Sequence, residues 1–239
     1  MAEGKLIPGW IGQFEIGGLG GAEDIRQSGK LPFDTLLDFL CTPGVGSDAD
    51  SIMKRYAVIG DDNPRFAVVP GLPVVLEKFY WPMRNAKASF MLGNYLSVIA
   101  LCGFVAEMVA IFLLEWVPFN ETPDLIRAVS GEKQAKIDYG KWPQDTRVNK
   151  LRSRQVITKD DMAEFTRIRK LRRQYLHYFS KPHDDIASDA LVAYRSTAAI
   201  VAMATIKGMQ DGGLILTPAL QKMLAHEDTA VDPMSDAHI

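Results

Sequence analysis

Arg172, Arg173 and His177 are the residues of this 239-residue chain that could do chemistry together. They lie in the stretch LRRQYLHYF at residues 171–179, where four residues separate Arg172 from His177. An imidazole that titrates near neutral pH can accept or give a proton. A guanidinium can stabilise the negative charge that develops on an attacked phosphate. The spacing therefore suits phosphate chemistry that uses a base and a cation.

A helix over about residues 159–179 is predicted to carry these side chains. Thr158, with Asp161 three residues later, resembles a capping box in which Asp replaces Glu. At about 100° per residue, one arc of the helix is apolar and contains Phe165, Ile168, Tyr175, Leu176 and Phe179. The opposite, polar face contains Lys170, Arg173, Gln174 and His177.

Arg172 does not join the polar face but lies in the middle of the apolar arc. An unpaired buried charge costs several kcal/mol as a rough guide, so this arginine needs a partner or a route to solvent. Glu107 is the matching anomaly, because it is a carboxylate within a long apolar run. We predict that Arg172 and Glu107 form an ion pair inside the fold or at its edge.

Positive charge is concentrated in residues 147–173, which contain ten Lys or Arg and three acidic residues, although the formal net charge of the chain is -2. Such a concentration suits a phosphate backbone. A solvated helix face that is balanced by acidic residues elsewhere is the alternative.

The candidate RNA-binding residues are Arg167, Arg169, Lys170 and Tyr178. Tyr178 lies at the boundary between the two faces and could stack on a base, whereas Tyr175 is predicted to be a core residue.

The wider pattern predicts a mainly α fold, without alternation that would indicate a sheet. Residues 1–72 are expected to form an irregular N-terminal extension of loops and short helices, at 32–40 and about 48–56, packed on the rest. Residues 73–226 are expected to form an up-and-down helical bundle, and residues 227–239 a disordered tail.

The bundle is expected to contain five helical segments and a polar loop at 136–146. The segments are 74–85 with a kink at Pro82, 86–116 with a break near Gly93, 159–179, 186–209 and 217–226.

Residues 95–116, YLSVIALCGFVAEMVAIFLLEW, are long and apolar enough to span a bilayer. Glu107 lies at the centre of the run, however, and the transfer of a carboxylate into lipid is energetically unfavourable. The flanks also lack the clusters of Lys and Arg that orient a membrane span. We therefore expect a helix that is buried on nearly all sides in a soluble bundle, with no membrane association.

The cysteines and the first residues bear on the compartment. Cys41 and Cys102 are far apart and indicate neither a disulfide framework nor a zinc site. The first residues, MAEGKLIPGWIG, do not have a basic region followed by an apolar core, so a secretory signal is not predicted. Both features favour a cytoplasmic location.

Two further patterns resemble a dinucleotide-binding loop and a metal site, but other interpretations fit them better. The glycine-rich start has Gly18 and Gly20, but Glu23 stands where a dinucleotide fingerprint needs its third glycine, and an apolar strand does not precede it. His183, Asp184 and Asp185 could suggest a metal site. Pro182 before them and a helix after them make an N-cap role for Asp184 or Asp185 the better interpretation. We expect neither a cofactor nor a metal.

The order of these features resembles the HEPN superfamily, whose helical-bundle domains carry an Arg-x4–6-His motif. The shared features are Arg172 and His177 with four residues between them, a preceding apolar helix with the Ala106–Glu107 step, and an alanine-rich helix that follows. The resemblance covers residues 73–209. Arg173 stands where family members often have Asn, Asp or His.

The resemblance implies a metal-independent endoribonuclease of toxin or defence type, with His177, Arg172 and Arg173 as candidate catalytic residues. It also implies RNA as a substrate, a homodimer whose two motifs share one cleft, and a protein partner such as an antitoxin. The alternative is a non-catalytic module for dimerisation, RNA binding or protein docking, in which the Arg172–Glu107 pair is purely structural.

Overall fold

α-Helices dominate the computed structural model, which describes residues 33–60, 70–117, 138–177, 184–210 and 213–230. The predicted mainly α class is therefore confirmed. The helices are α1 (Phe33–Leu40), α2 (Ala49–Gly60), α3 (Pro73–Val75), α4 (Trp81–Met91), α5 (Tyr95–Trp116), α6 (Gln144–Ser153), α7 (Lys159–Leu176), α8 (Ile186–Thr205) and α9 (Pro218–Ala230). A π-helical turn (Leu76–Tyr80), a 3-10 turn (Tyr139–Lys141) and the strands β1 (Ile206–Gln210) and β2 (Gly213–Leu216) complete these elements.

The apolar helix α5 is the centre of the bundle and packs on α4, α6, α7, α8 and α9. Much of its surface is fully buried, while a strip that includes Leu96, Phe104 and Glu115 reaches solvent. By length and composition alone, α5 and α8 could each cross a membrane, with 56% and 44% of their most apolar windows buried. The core helix of a soluble protein meets the same criteria, so the finding is weak evidence for a membrane span.

The helical run before α5 changes pitch and then breaks. Trp81 N–H donates to the carbonyl of Leu76, which is the wide spacing of a π-helical turn, immediately before Pro82. Pro82, the position of the predicted kink, has no N–H to donate, and the π-helical turn ends two residues before it. The predicted break near Gly93 is confirmed, since Gly93 has φ +75° between α4 and α5.

The described part of the N-terminal extension contacts the end of α4. Thr42 N–H donates to Leu92 O at 3.1 Å, and its hydroxyl donates to Gly93 O at 2.8 Å. Arg55 on α2 donates to Met91 O at 2.5 Å. The two short helices predicted in this region are present as α1 and α2. The glycine-rich residues 1–32 lie outside the described part of the chain.

Helix α6 was not predicted. Residues 136–146 were expected to be a polar loop, which is wrong for residues 144–146, and residues 147–153 were assigned to no element. The helix begins at Gln144, and its buried residues are Arg147, Val148 and Leu151. A charged residue at a core position hides the apolar periodicity that would otherwise have identified the helix.

Helix α7 is confirmed, with an earlier end than 179. The capping box is present, since Asp161 N–H donates to Thr158 Oγ1 at 3.1 Å and Thr158 N–H donates to the Asp161 carboxylate at 2.8 Å. Its buried residues are Phe165, Ile168, Leu171 and Tyr175, as the apolar arc predicts. Leu176, which was assigned to that arc, is instead 38% exposed. Residues 178–183, including Tyr178 and His183, lie outside the described ranges.

The prediction of a helix over 186–209 and no sheet was wrong at its end. Helix α8 begins after Asp185, whose side chain makes no capping hydrogen bond, and ends at Thr205. β1 and β2 then form an antiparallel pair with Ile206 opposite Leu216. Thr217, the residue after β2, donates its N–H to Thr205 O at 3.2 Å and its hydroxyl to Ala204 O at 2.6 Å, so it bonds the last carbonyls of α8. The final helix also continues to Ala230, past the predicted start of the tail at 227.

Candidate functional site

Gly103 on α5 provides the space in which Arg172 on α7 lies. A Cβ atom added at Gly103 would stand 2.5 Å from Arg172 Cδ and 3.3 Å from Nε. The aliphatic part of the arginine therefore crosses α5 where that helix has no side chain. An isolated glycine inside an apolar helix was the sequence signal for this close approach, and sequence reasoning missed it.

The predicted Arg172–Glu107 ion pair is present. Gly103 and Glu107 are four residues apart and share one face of α5, so an arginine that crosses Gly103 reaches the carboxylate one turn later. Arg172 Nη1 donates to Glu107 Oε1, and the two side chains are 36% and 31% exposed. The pair thus lies at the edge of the bundle, with both charges still in contact with solvent.

Arg147 on α6 is a second arginine near Glu107, and its role in the fold is structural. It is only 5% exposed and donates to Tyr139 O at 2.8 Å, Gly140 O at 2.7 Å and Gln144 Oε1 at 3.0 Å. Burial lowers the pKa of Arg147, and the charge of Glu107 partly offsets that shift. Arg147 therefore joins α6 to the 3-10 turn that precedes it, and its guanidinium is almost completely buried there.

His177 stands at the C-cap of α7, with its side chain exposed. Its backbone N–H donates to Arg173 O at 3.3 Å, so the two residues are one helical turn apart. Lys170 and Arg173 are also exposed, and the spacing of the three residues places them on one face. Arg172 is about 140° around the helix from His177 and faces α5. The structure thus groups Lys170, Arg173 and His177 and separates Arg172 from them.

Arg167 and Arg169, two of the candidate RNA-binding residues, are engaged in ion pairs. Arg167 Nη1 pairs with the Glu164 carboxylate at 2.6 Å, and Arg169 Nη1 pairs with Asp145. These acidic residues reduce the local positive charge, as the alternative of a balanced helix face predicts. Lys170 and Arg173 continue this strip of basic residues as exposed side chains near the end of α7.

Tyr175 connects the last turn of α7 to the first turn of α8. The ring is 6% exposed, which confirms its prediction as a core residue, and its hydroxyl donates to Asp189 Oδ2 at 2.6 Å. Burial, together with the hydrogen bond and negative charge of Asp189, raises the pKa of Tyr175 to about 12. Sequence reasoning found the buried ring but not the carboxylate that it meets.

The described ranges contain no group of three or more His, Cys, Asp or Glu side chains that could hold a metal ion. Cys41 and Cys102 are both buried thiols. Comparisons with protein-family models, with curated proteins and with solved structures give no match to this chain. The HEPN resemblance therefore rests on the residues themselves.

Proposed function

We propose that this protein is a HEPN-like endoribonuclease that cleaves RNA without a metal ion, with His177 as its general base. The observation that carries the proposal is the group of exposed residues at the end of α7. His177, Arg173 and Lys170 share one face there, so a base and two cations meet the same solvent-accessible surface. RNA is the natural substrate for such a group, because it contributes both the phosphate and the nucleophile.

In the proposed reaction, the neutral His177 imidazole takes the proton of an RNA 2′-hydroxyl. The oxygen then attacks the adjacent phosphorus, and the bond to the 5′-oxygen of the next nucleotide breaks. Arg173 stabilises the negative charge that develops on the phosphate. The leaving oxygen takes up a proton from solvent. The products are a 2′,3′-cyclic phosphate and a 5′-hydroxyl.

Arg172 would contribute to this reaction from a fixed position. Within the described part of the chain, Glu107 is its one hydrogen-bond partner, through Nη1. A guanidinium has five N–H donors, so this bond leaves others for a phosphate. Because Arg172 faces α5 and not His177, it would meet a phosphate bound by the His177 of a second protomer. A homodimer of the proposed enzyme would thus supply both residues in trans.

A second candidate function is a non-catalytic module that binds RNA, a second copy or a protein partner such as an antitoxin. The Arg172–Glu107 pair favours it, because the motif arginine already has its counter-charge in the absence of substrate. In that case the pair contributes only to the α5–α7 contact. The two functions differ in whether His177 is needed for a reaction.

Incubation of purified protein with mixed RNA in the presence of EDTA separates the two functions. The enzyme is expected to cleave in EDTA, and His177→Ala should abolish cleavage without lowering the melting temperature, because the side chain is exposed. Lys159→Ala, an exposed change at the other end of α7, is the matched control and should retain activity. If the wild-type protein cleaves no RNA and only Arg172→Ala reduces stability, the non-catalytic module is supported.

A further inference from the structure

The bond between Tyr175 and Asp189 lies beside the end of α7 that carries His177. Tyr175 is two residues before His177, and Asp189 is in the first turn of α8. Asp189 is itself held in that turn, since its N–H donates to Asp185 O at 3.0 Å. The bond therefore joins the end of α7 to the start of α8, three residues before position 178.

The position of His177 depends on whether the last turn of α7 stays formed. Helix ends fray, because the last four carbonyls lack partners within the helix. The backbone bond from His177 to Arg173 is already long, at 3.3 Å. Arg172, one turn before the end of α7, is bound to Glu107 of α5. Tyr175 lies three residues later and is bound to Asp189 of α8, so side chains near this end of α7 bond two neighbouring helices.

The hydroxyl of Tyr175 has a role that ring burial alone does not explain. A phenylalanine would fill the same buried space, but it could not donate a hydrogen bond to Asp189. A bond from a phenol to a carboxylate is stronger and more directional than one between neutral groups. Burial and Asp189 raise the pKa of Tyr175 to about 12, so the phenol stays protonated and able to donate at pH values well above neutral.

We propose that Tyr175 is a positioning residue, and that its bond to Asp189 fixes the last turn of α7 so that His177 is held ready for reaction. The inference rests on the proposed function for its catalytic consequence. It assigns Tyr175 no contact with RNA, because the ring is buried and its hydroxyl is already bound.

Tyr175→Phe is the direct test, with Tyr80→Phe as the matched control. Tyr80 is also buried, and its hydroxyl bonds Thr205 at 3.0 Å at the opposite end of α8. Tyr175→Phe is expected to lower kcat roughly tenfold with KM nearly unchanged, since misplacement of a base slows the reaction without removing binding contacts. Tyr80→Phe should leave both constants near those of the wild type. Asp189→Asn keeps an acceptor and should fall between the wild type and Tyr175→Phe.

Amide hydrogen exchange and the NMR signals of the His177 ring provide a reading that is independent of cleavage. In Tyr175→Phe, the amides of Leu176 and His177 should exchange severalfold faster and the ring signals should shift, whereas Tyr80→Phe should leave them unchanged. Unchanged exchange and ring signals in Tyr175→Phe would overturn the inference, as would faster exchange with wild-type kcat. If the wild-type protein proves inactive, the proposed function fails, while these signals still decide whether Tyr175 positions His177.

Discussion

The guanidinium of Arg172 on α7 pairs with the carboxylate of Glu107 on α5 at the edge of the bundle. The pair is reached across Gly103, where the helix has no side chain. A charge in an otherwise apolar arc thus has a specific structural partner. The pair thus joins α7 to the central helix five residues before His177.

The coupling between these two charges is measurable. Because each side chain is about one-third exposed, solvent screening limits the pair to roughly 0.5–1 kcal/mol in a double-mutant cycle with Arg172→Met and Glu107→Gln. The Arg167–Glu164 pair, which is three residues apart on one helix, is the comparison and should give about 0.3 kcal/mol. Urea denaturation gives both values. Zero coupling between Arg172 and Glu107 would show that the pair does not stabilise the fold.

Gly103→Ala should change the free energy of unfolding by different amounts in two backgrounds. Alanine favours a helix by up to about 1 kcal/mol over glycine, but here its Cβ would collide with Arg172 Cδ. We therefore expect little or no gain in the wild type and a gain of about 1 kcal/mol when Arg172 is also replaced by Ala. Equal changes in the free energy of unfolding in both backgrounds would contradict the contact between Gly103 and Arg172.

Arg147→Met is expected to destabilise the protein by about 2–3 kcal/mol, because it removes donors from two backbone carbonyls that face the buried guanidinium. Arg152→Met, on the same helix, is the matched control. Arg152 is exposed and its side chain donates to Ile157 O at 3.3 Å, so its loss should cost less than about 0.5 kcal/mol. Equal urea midpoints for the two variants would refute the structural role of Arg147.

The parts of this structure that local periodicity encodes could be predicted from the sequence. The apolar face of α7 follows from the spacing of its apolar residues, and the break at Gly93 follows from a residue that accepts positive φ. Arg172 and Glu107 were paired in advance because each is a single charge in an apolar environment. Few other partners could satisfy either residue.

The parts that depend on contacts between distant segments could not be predicted. Helix α6 could not be predicted because Arg147 occupies a core position of it, and the carbonyl groups that Arg147 bonds come close to it only in the folded chain. The end of α8 depends on Thr217, which lies twelve residues beyond Thr205. Asp145 of another helix pairs with Arg169 and offsets its positive charge. The count of Lys and Arg along the sequence therefore gave too high a net positive charge for this surface.

The free energy of unfolding of the wild-type protein should depend on alkaline pH in a way that the free energy of Tyr175→Phe does not. Burial and then Asp189 raise its pKa from 10.0 to about 12. Because the folded-state pKa is raised, the neutral phenol contributes fully below pH 10, and that contribution is lost as the pH rises through 12. We expect the difference in unfolding free energy between the wild type and Tyr175→Phe to be constant from pH 7 to 10 and to shrink above it. A difference that stays constant up to pH 12 would show that the folded state does not perturb this phenol.

The most direct test of RNA cleavage by His177 uses one RNA sequence in two forms, unmodified and fully 2′-O-methylated, with EDTA present. The proposed mechanism requires the 2′-hydroxyl as nucleophile. The wild-type protein should cleave the unmodified RNA to fragments with 2′,3′-cyclic phosphate and 5′-hydroxyl ends, and His177→Ala should not. The methylated RNA should remain intact. Cleavage of the methylated strand, or equal cleavage of unmodified RNA by the wild type and His177→Ala, would contradict the proposed function.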